Sequence, residues 1–360
     1  MDFDLDDDQV ALRDGAREVL ADLASTARIR RHVDSGAPHD PELWSALVEQ
    51  GWLLVDAAED DGGLGFGTVE IAILSECLGA QAAPVPFTST MVAAVACSPA
   101  QPERAAALRT GDRVGAAVVP RRSDAVRAKR DGDRWHLDGV VDPAPYLSSA
   151  HDAVVAAQTD DGPGLFLIDL TTIDRVREPA IDITRPVAWL RIDHAPALWL
   201  GGIDTVEDFV DLGATLTAAE MLGGAQQVLD MTVSYAKDRV QFGKPIGSFQ
   251  AVKHRCADML VDVEGMRSVV YAAAWAIGAR DPQASVAAST AKIWCSDASK
   301  RVMSSALQVH GGIGFTWEHD LHLFLKRSQL DRMMFGDARA HRDRLAAKLR
   351  TMVASGTGVM

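Results

Sequence analysis

The sequence predicts a mainly α-helical protein with a β-barrel in the middle of the chain. Apolar residues recur at spacings of three and four over residues 1–110, which is the period of an amphipathic helix. Residues 111–203 instead contain short β-rich segments separated by turns. Helical patterns return over residues 204–360. The chain therefore divides into an amino-terminal helical domain, a middle β-barrel domain and a carboxy-terminal helical bundle.

The amino-terminal segment contains signals that begin and end helices. "DDDQVALRDGAREVLADL" starts with acidic residues, where the helix dipole favours them. A second helix starts at "DPELWSALVEQGW", where Asp40 can cap it, Pro41 suits its first turn and Gly51 can close it. We expect "EDDGGLGFG" to be a loop. An apolar helix then runs through "TVEIAILSECLGA" and ends before Pro84 and Pro86.

The middle segment predicts an antiparallel sheet or small barrel. Its β-rich pieces are "RVGAAVVP", "RWHLDGVV", "DAVVAA", "GLFLIDL" and "AWLRID". Several short strands at regular spacing, with turns between them, are typical of such a sheet.

The carboxy-terminal segment contains three predicted helices. The first includes "GATLTAAEMLGGAQQVLDMTVSYAKD", the second runs from Phe249 to about Ala279, and the third opens at Asp281 and runs to Gln308. Between the first two, "FGKPIG" must break the helix, because Pro245 lacks an N–H and glycine is costly in a helix interior. The charged and aromatic residues around this break raise the question of whether it is only a turn or also a site.

Composition excludes some classes of function. The formal net charge of −14 disfavours nucleic acid as a partner, since duplex affinity comes mainly from Lys and Arg. The longest aliphatic runs, such as residues 91–97, are far too short to cross a bilayer, and no positively charged leader precedes the acidic start. We therefore expect a cytoplasmic protein without membrane insertion.

The cysteine and histidine spacings predict no metal site. The four cysteines are Cys77, Cys97, Cys256 and Cys295. They are far apart, which favours buried free thiols. His254 and His310 lie beside the motifs described next, but no metal-ligand spacing joins them, so we interpret both as structural.

Two motifs in the carboxy-terminal segment resemble those of the acyl-CoA dehydrogenase family. "RVQFGKPIGSFQ" is similar to the family's Arg-x-x-Phe-Gly turn followed by Phe-Gln. "LQVHGGIGFTWEHDL" is similar to its Gln-x-x-Gly-Gly-x-Gly-Phe/Tyr signature. The resemblance covers essentially the whole chain, and it implies an amino-terminal helical domain, a middle β-barrel and a carboxy-terminal four-helix bundle.

The resemblance also implies a reaction. The family uses FAD to oxidise the Cα–Cβ bond of an acyl-CoA thioester: a carboxylate removes the α-proton while the flavin accepts a hydride from Cβ. Such a site must stabilise enolate charge on the thioester oxygen. The expected partners are acyl-CoA and an electron-transfer flavoprotein or similar acceptor.

The resemblance assigns six residues to FAD binding: Arg239, Phe242, Gly243, Gln308, Gly311 and Gly312. In the family, Arg239 would contact the pyrophosphate and Phe242 the adenine side of the flavin of a neighbouring subunit, while the two later glycines let the backbone approach FAD. Two structural alternatives stay open. Arg239 can interact with the last carbonyls of a helix, and Gly311 with Gly312 can form a helix cap.

The catalytic base is where this sequence departs from the family. Many members place a glutamate after the second motif, at the position of Phe335, which cannot accept a proton. Asp337, two residues on, could only be a displaced substitute. Other members place the base on the first bundle helix, at the position of Gly213. Glu220 lies two turns further on that helix and is costly to bury unless it is paired, protonated or functional, so it is our candidate base.

The middle domain departs from the family as well. Where the family has a Thr-Glu-Pro loop and a Trp-containing strand around the flavin ring, this chain has "VVPRRSDA" and "DPAPYLSSA". Ser148 or Ser149 could hydrogen-bond a flavin edge, although a plain β-turn explains them equally well. The chain thus keeps the residues that serve a neighbour's flavin and has lost many that hold its own.

This asymmetry resembles the companion subunits of heteromeric actinobacterial acyl-CoA dehydrogenases of steroid side-chain catabolism, which are tetramers of two unlike chains. The leading hypothesis is a companion subunit that completes the FAD site of a second acyl-CoA-dehydrogenase-like chain. A self-sufficient homotetrameric dehydrogenase using Glu220 is the first alternative. A non-catalytic scaffold or acyl-CoA binder is the second.

Overall fold

The structure is a computed structural model that describes residues 4–356 of the chain. The helices are α1 (Asp7–Leu23), α2 (Thr26–Ser35), α3 (Pro41–Glu49), α4 (Thr68–Ala80), α5 (Phe87–Cys97), α6 (Pro102–Arg109), α7 (Ile203–Asp238), α8 (Gln250–Gly278), α9 (Ala284–His310), α10 (Leu321–Asp331) and α11 (Ala338–Ala354). The strands are β1 (Gly115–Val118), β2 (Val126–Asp131), β3 (Arg134–Pro145), β4 (Asp152–Thr159), β5 (Gly162–Asp169), β6 (Arg175–Glu178), β7 (Val187–Gly201), β8 (Val240–Gln241) and β9 (Lys244–Pro245).

The contacts between residues divide the chain into two compact units. The helical unit comprises the described parts of Met1–Thr26, Thr68–Ala83 and Ala214–Met360. The β-containing unit comprises Ala27–Gly67 and Pro84–Gly213. The division of the chain into domains at residues 110 and 203 stays a prediction.

The β-containing unit is built on a seven-stranded sheet. Five strands pair in a closed cycle, in the order β4–β2–β3–β7–β5 and back to β4, while β1 adds to β4 and β6 to β7. Most pairs are antiparallel, but β1 and β2 pair parallel to β4. The predicted barrel in the middle of the chain is therefore confirmed, with two parallel pairings that the sequence did not indicate.

Several local predictions are confirmed. The Asp40 carboxylate accepts hydrogen bonds from the backbone N–H groups of Glu42 and Leu43 at 3.1 and 3.0 Å, which caps α3 as expected. Asp281 precedes α9, which ends at His310, two residues beyond the predicted end. The predicted loop after α3 contains a short 3₁₀ helix at Glu59–Asp61.

The sequence did not predict two strands of the seven-stranded sheet. β2 and β6 contain the charged stretches "VRAKRD" and "RVRE". β2 exposes four of its six side chains and β6 two of its four, so neither shows the apolar run that marks a buried strand.

The helical unit depends on a close crossing of α4 and α7. A Cβ atom added to Gly79 would lie 2.1 Å from the backbone oxygen of Glu220. A Cβ atom added to Gly223 would lie 1.9 Å from the backbone oxygen of Glu76. Only glycine fits at both positions, because the two backbones are in direct contact.

A partly buried polar network joins helix α8 to the same crossing. The Glu76 carboxylate accepts hydrogen bonds from the Arg267 guanidinium at 2.7 Å and from the Tyr271 hydroxyl at 2.6 Å. Arg267 also donates to the Gln226 side chain of α7 at 2.9 Å. The network satisfies a buried carboxylate and joins α4, α7 and α8.

No helix within residues 4–356 is long and apolar enough to span a bilayer. Among the same residues, Cys77, Cys97 and Cys295 are buried free thiols and Cys256 is half-buried. Burial raises the pKa of the Cys77 and Cys97 thiols to about 12, so neither is a thiolate at neutral pH.

The glycine crossing makes a testable prediction. Replacing Gly223 by alanine should lower the free energy of unfolding by about 1–3 kcal/mol or more, because the new methyl group meets backbone that cannot move aside. The neighbouring Gly224→Ala is the control, since the nearest atom to its Cβ is 3.6 Å away. That variant should be neutral or stabilised by up to about 1 kcal/mol through helix propensity. Urea unfolding measures both variants. Equal changes in their unfolding free energies would contradict the backbone contact at Gly223.

Candidate functional site

The predicted helix break is a tight β-hairpin. α7 ends at Asp238, and β8 and β9 then pair around a two-residue turn made by Phe242 and Gly243. Both turn residues have positive φ, +53° and +78°, as a type I′ turn requires. Asn or Gly usually occupies the first of these positions, so a phenylalanine there is unusual.

Phe242 combines backbone strain with full exposure. Its side chain is 91% exposed, and a bulky residue in the left-handed region is a steric outlier. Within the chain it meets only the edge of Phe249, with ring centroids 6.1 Å apart, among the ring contacts of the described residues. An apolar ring held in a costly conformation on the surface is typical of a binding site.

The second motif lies at the end of α9, where two glycines leave the main chain without side chains over it. Gln308 is exposed, and Gly311 adopts φ +61° and ψ −138°, which only glycine adopts readily. A Cβ atom at Gly311 or Gly312 would meet nothing within 4 Å. The space beside these two residues is therefore open to a ligand that approaches the main chain.

The structure brings the two motifs together. The ring of Tyr235, one helical turn before Arg239, stacks on the ring of His310 with centroids 4.6 Å apart. The Tyr235 hydroxyl also donates to the His310 carbonyl at 3.5 Å. The ends of α7 and α9 thus meet, and this contact was not apparent from the sequence because 75 residues separate the two rings.

We call the resulting area the hairpin–glycine surface. It comprises all six predicted cofactor residues, namely Arg239, Phe242, Gly243, Gln308, Gly311 and Gly312. Arg239 is exposed, and no salt bridge among residues 4–356 involves it. Further exposed apolar side chains of the two motif segments are Val240, Ile313, Phe315 and Trp317. The surface therefore offers a free cation, bare backbone and aromatic area.

The position expected for a base holds a buried phenylalanine. Phe335 is 6% exposed and has φ +53°, followed by Gly336 at φ +96°. The His341 ring lies between them and α9: Nε2 is 2.9 Å from the Phe335 carbonyl oxygen and Nδ1 is 3.2 Å from the Ser289 hydroxyl. Because a carbonyl only accepts, Nε2 carries the proton and Nδ1 accepts from the serine.

The same region contains two acids, Asp331 and Asp337, and one lysine, Lys292. Lys292 is fully buried and donates to the Asp331 carbonyl oxygen, and burial lowers the pKa of Lys292 to about 8 despite the nearby Asp331 carboxylate. The Asp337 carboxylate accepts from the Ala340 N–H at 2.8 Å and caps α11. Asp337 is thus used as a helix cap, which argues against its role as a displaced base.

Glu220 lies in the packed interior of the helical unit. It is 4% exposed, and its carbonyl faces Gly79 at the α4–α7 crossing. At 1.5 Å per residue, Glu220 lies about 10 Å along α7 from Gly213 and about 28 Å from Arg239. The structure therefore does not bring Glu220 to the hairpin–glycine surface.

The two serines of the middle segment differ. The Ser149 hydroxyl donates to the Tyr146 carbonyl oxygen at 3.2 Å, which is the plain turn that was one of the two interpretations. The Ser148 hydroxyl is buried and has no hydrogen-bond partner among the described residues. The plain turn therefore explains the hydroxyl of Ser149 but not that of Ser148.

No group of three or more His, Cys, Asp or Glu side chains within residues 4–356 is arranged to hold a metal ion. The hairpin–glycine surface offers the Arg239 guanidinium and exposed main chain, which suit the binding of an organic anion.

Comparison with known proteins identifies one family that the chain matches at both ends. Residues 201–350 match the family described as "Acyl-CoA dehydrogenase, C-terminal domain", and residues 6–102 match its N-terminal domain. The chain is 32% identical to acyl-CoA dehydrogenase IpdE2 of Mycolicibacterium smegmatis over 96% of this chain and 100% of that protein.

Two solved structures share the fold over nearly the whole chain. The Tcur3481-Tcur3483 steroid ACAD G363A variant matches with a TM-score of 0.90 and 30% identity, covering 96% of this chain and 99% of that one. The ChsE4-ChsE5 complex from Mycobacterium tuberculosis matches with a TM-score of 0.90 and 29% identity, covering 97% and 99%.

The buried His341 predicts a pH dependence of stability. Burial lowers the pKa of His341 from 6.5 to about 4, so the unfolded chain binds more protons between these values. Its contribution is present above pH 6.5 and is lost as the pH falls to 4. The difference in unfolding free energy between the wild type and His341→Gln should shrink over this range by up to about 3 kcal/mol.

Urea titrations at pH 7 and pH 4 measure this difference, with His194→Gln as the control because His194 is exposed. Parallel pH profiles of the wild type and His341→Gln would contradict the buried neutral ring.

Proposed function

The chain belongs to the acyl-CoA dehydrogenase family, and from this premise we propose that it is a companion subunit of a heteromeric, FAD-dependent acyl-CoA dehydrogenase. In this proposal its hairpin–glycine surface completes the FAD site of a second acyl-CoA-dehydrogenase-like chain. The observation that carries the proposal is the exposed, strained Phe242 beside the free Arg239, in a chain whose base position holds Phe335.

The residues of the surface fit FAD. Arg239 would hold the pyrophosphate, because a guanidinium binds phosphate through paired charge-assisted hydrogen bonds. The bare main chain at Gly311 and Gly312 would admit the cofactor at close range. Phe242 would offer an apolar face to the adenine side. When bound, FAD supplies the hydride acceptor of the reaction.

The absence of a base at two positions supports the companion role. Phe335 cannot remove a proton, and Gly213 has no side chain. Two of the most similar solved structures carry names with two chains, ChsE4-ChsE5 and Tcur3481-Tcur3483. A partner with a glutamate base would perform the α-proton abstraction, while this chain would bind and orient the cofactor.

The proposed substrate follows from the same likenesses, and the proposed acceptor from the chemistry of the family. One of those structures is named a steroid ACAD. We therefore propose a bulky, steroid-type acyl-CoA as the substrate. An electron-transfer flavoprotein or similar acceptor would be the redox partner.

A self-sufficient enzyme using Glu220 is the second candidate. A buried carboxylate among apolar residues of α7 is the observation that favours it. The argument against a self-sufficient enzyme is that Glu220 lies about 10 Å along the helix from Gly213, the position of the base in other family members.

Flavin stoichiometry tests the companion role. We expect the chain purified alone to hold far less than one FAD, and co-expression with a base-containing partner, such as one encoded by the adjacent gene, to give a flavin-loaded complex. Arg239→Ala should weaken FAD binding of that complex about 10- to 100-fold, since a hydrogen-bonded charge is lost. The control Arg280→Ala removes an exposed arginine at the far end of α8.

One FAD per chain in the protein alone would overturn the companion role. A partner complex that never binds flavin would instead favour a scaffold.

Glu220→Gln separates the two enzymatic candidates. In the companion role, acyl-CoA-dependent bleaching of the flavin in the complex should change less than twofold, because the base belongs to the partner. If Glu220 were the base, the rate should fall about 10²- to 10⁴-fold. The amide has nearly the same shape as the acid, and thermal unfolding of the variant checks that the fold is kept.

A further inference from the structure

The chain around the hairpin contains positive charges that no acid in the described structure neutralises. Residues 237–258 include five Lys and Arg side chains and two Asp side chains, in a chain whose formal net charge is −14. All five cations are exposed, and within residues 4–356 none forms a salt bridge or a side-chain hydrogen bond. They are Lys237, Arg239, Lys244, Lys253 and Arg255. We call these five residues the basic rim.

The hairpin brings these cations to one end of the helical unit. The Arg239 carbonyl oxygen accepts a hydrogen bond from the Ile246 N–H at 2.8 Å, which folds the chain back beside the end of α7. The Lys244 ammonium lies 4.5 Å from the centroid of the Phe249 ring, and Phe249 directly precedes α8. The Lys253 N–H donates to the Phe249 carbonyl oxygen at 3.1 Å, one turn into α8. The basic rim is therefore one continuous area.

The first turns of α8 are not covered by any other described part of the chain. Of the nine residues 250–258, seven are exposed, and the other two, Val252 and Cys256, are half-buried. Two turns beyond Val252, the apolar side chains of Leu260 and Val261 are 49% and 69% exposed. A helix in a globular protein usually buries an apolar face. Since this end of α8 buries none within the described chain, we expect a neighbouring molecule to cover it.

The basic rim lies on both sides of exposed apolar side chains. Val240 is 53% exposed and Phe242 is 91% exposed, and both stand in the hairpin between Arg239 and Lys244. An apolar centre with a charged edge is typical of a protein–protein interface. Because the charges at this edge are positive, a complementary surface has to present carboxylates.

We propose that the hairpin and the first turns of α8 bind an acidic surface of the partner chain, with carboxylates of that chain facing the basic rim. The proposal rests on the proposed function and adds the chemistry of the partner's surface. A second copy of this chain fits less well as the occupant, because two molecules that each have a net charge of −14 repel one another.

The salt dependence of assembly tests the proposal with the wild-type chain. Its rate of association with a base-containing partner should fall about 10-fold or more when NaCl is raised from about 50 mM to about 500 mM, because salt screens the attraction between opposite charges. Biolayer interferometry with the partner immobilised measures this rate.

A double charge reversal tests the residues. Lys253→Glu combined with Arg255→Glu should raise the Kd of the two chains about 10- to 100-fold at the lower salt concentration, since attraction becomes repulsion. Neither residue is assigned to the cofactor, so the complex formed at high protein concentration should keep the wild-type flavin content. Thermal unfolding checks that the variant keeps its fold.

Arg280→Glu combined with Lys300→Glu is the matched control. It changes the net charge by the same amount at two exposed cations, one beyond the far end of α8 and one in the middle of α9. If the position of the charges decides the affinity, this variant should change the Kd by less than about threefold.

The outcomes separate this proposal from the proposed function. If the wild-type chain forms no complex with a base-containing partner, the proposed function fails, and the acidic partner surface fails with it. If the complex forms but associates at a rate independent of salt, and both double variants bind equally well, only the acidic partner surface fails. Self-association of the free chain, or its binding to phosphatidylserine vesicles, overturns the proposal if the Lys253→Glu, Arg255→Glu variant abolishes it, because the basic rim then serves a second copy or a membrane.

Discussion

The close crossing of α4 and α7 is the contact on which the helical unit depends. Gly79 and Gly223 allow the two backbones to touch, and Glu76, beside this contact, receives hydrogen bonds from Arg267 and Tyr271 of α8. The crossing fixes where α7 lies and therefore where its distant end can go. A side chain at either glycine would meet the backbone of the other helix at this crossing.

The long helix α7 keeps two charged side chains, Glu220 and Arg239, far apart. Glu220 is at the crossing, and Arg239 stands about 28 Å further along the helix. The carboxylate of Glu220 and the guanidinium of Arg239, which the proposed function assigns to a neighbour's cofactor, are thus kept apart by a rigid element. In the proposed function, Arg239 serves a cofactor only in an assembly, while the interior of this chain around Phe335 is filled by His341 and Lys292.

Several energetically unfavourable features lie together on the hairpin–glycine surface. Phe242 is exposed in the left-handed region, and the five cations of the basic rim, Arg239 among them, have no salt bridge among the described residues. Each feature alone has a structural explanation. Their coincidence on one area is what a surface completed by a ligand or a partner requires, because strain and unsatisfied polar groups persist where binding relieves them.

The sequence by itself determined the helix break at "FGKPIG", the Asp40 cap, the barrel in the middle of the chain and the residues of both motifs, since these depend on local conformational preference and spacing. It also determined that no acid stands at Phe335 or Gly213. Only the tertiary structure decided that Tyr235 meets His310, that Ser289 and Lys292 pack behind the Phe335 segment, and that Asp337 is a cap. Most of these contacts join residues that are far apart in the chain, and no local pattern specifies which distant side chains the packing of helices will bring together.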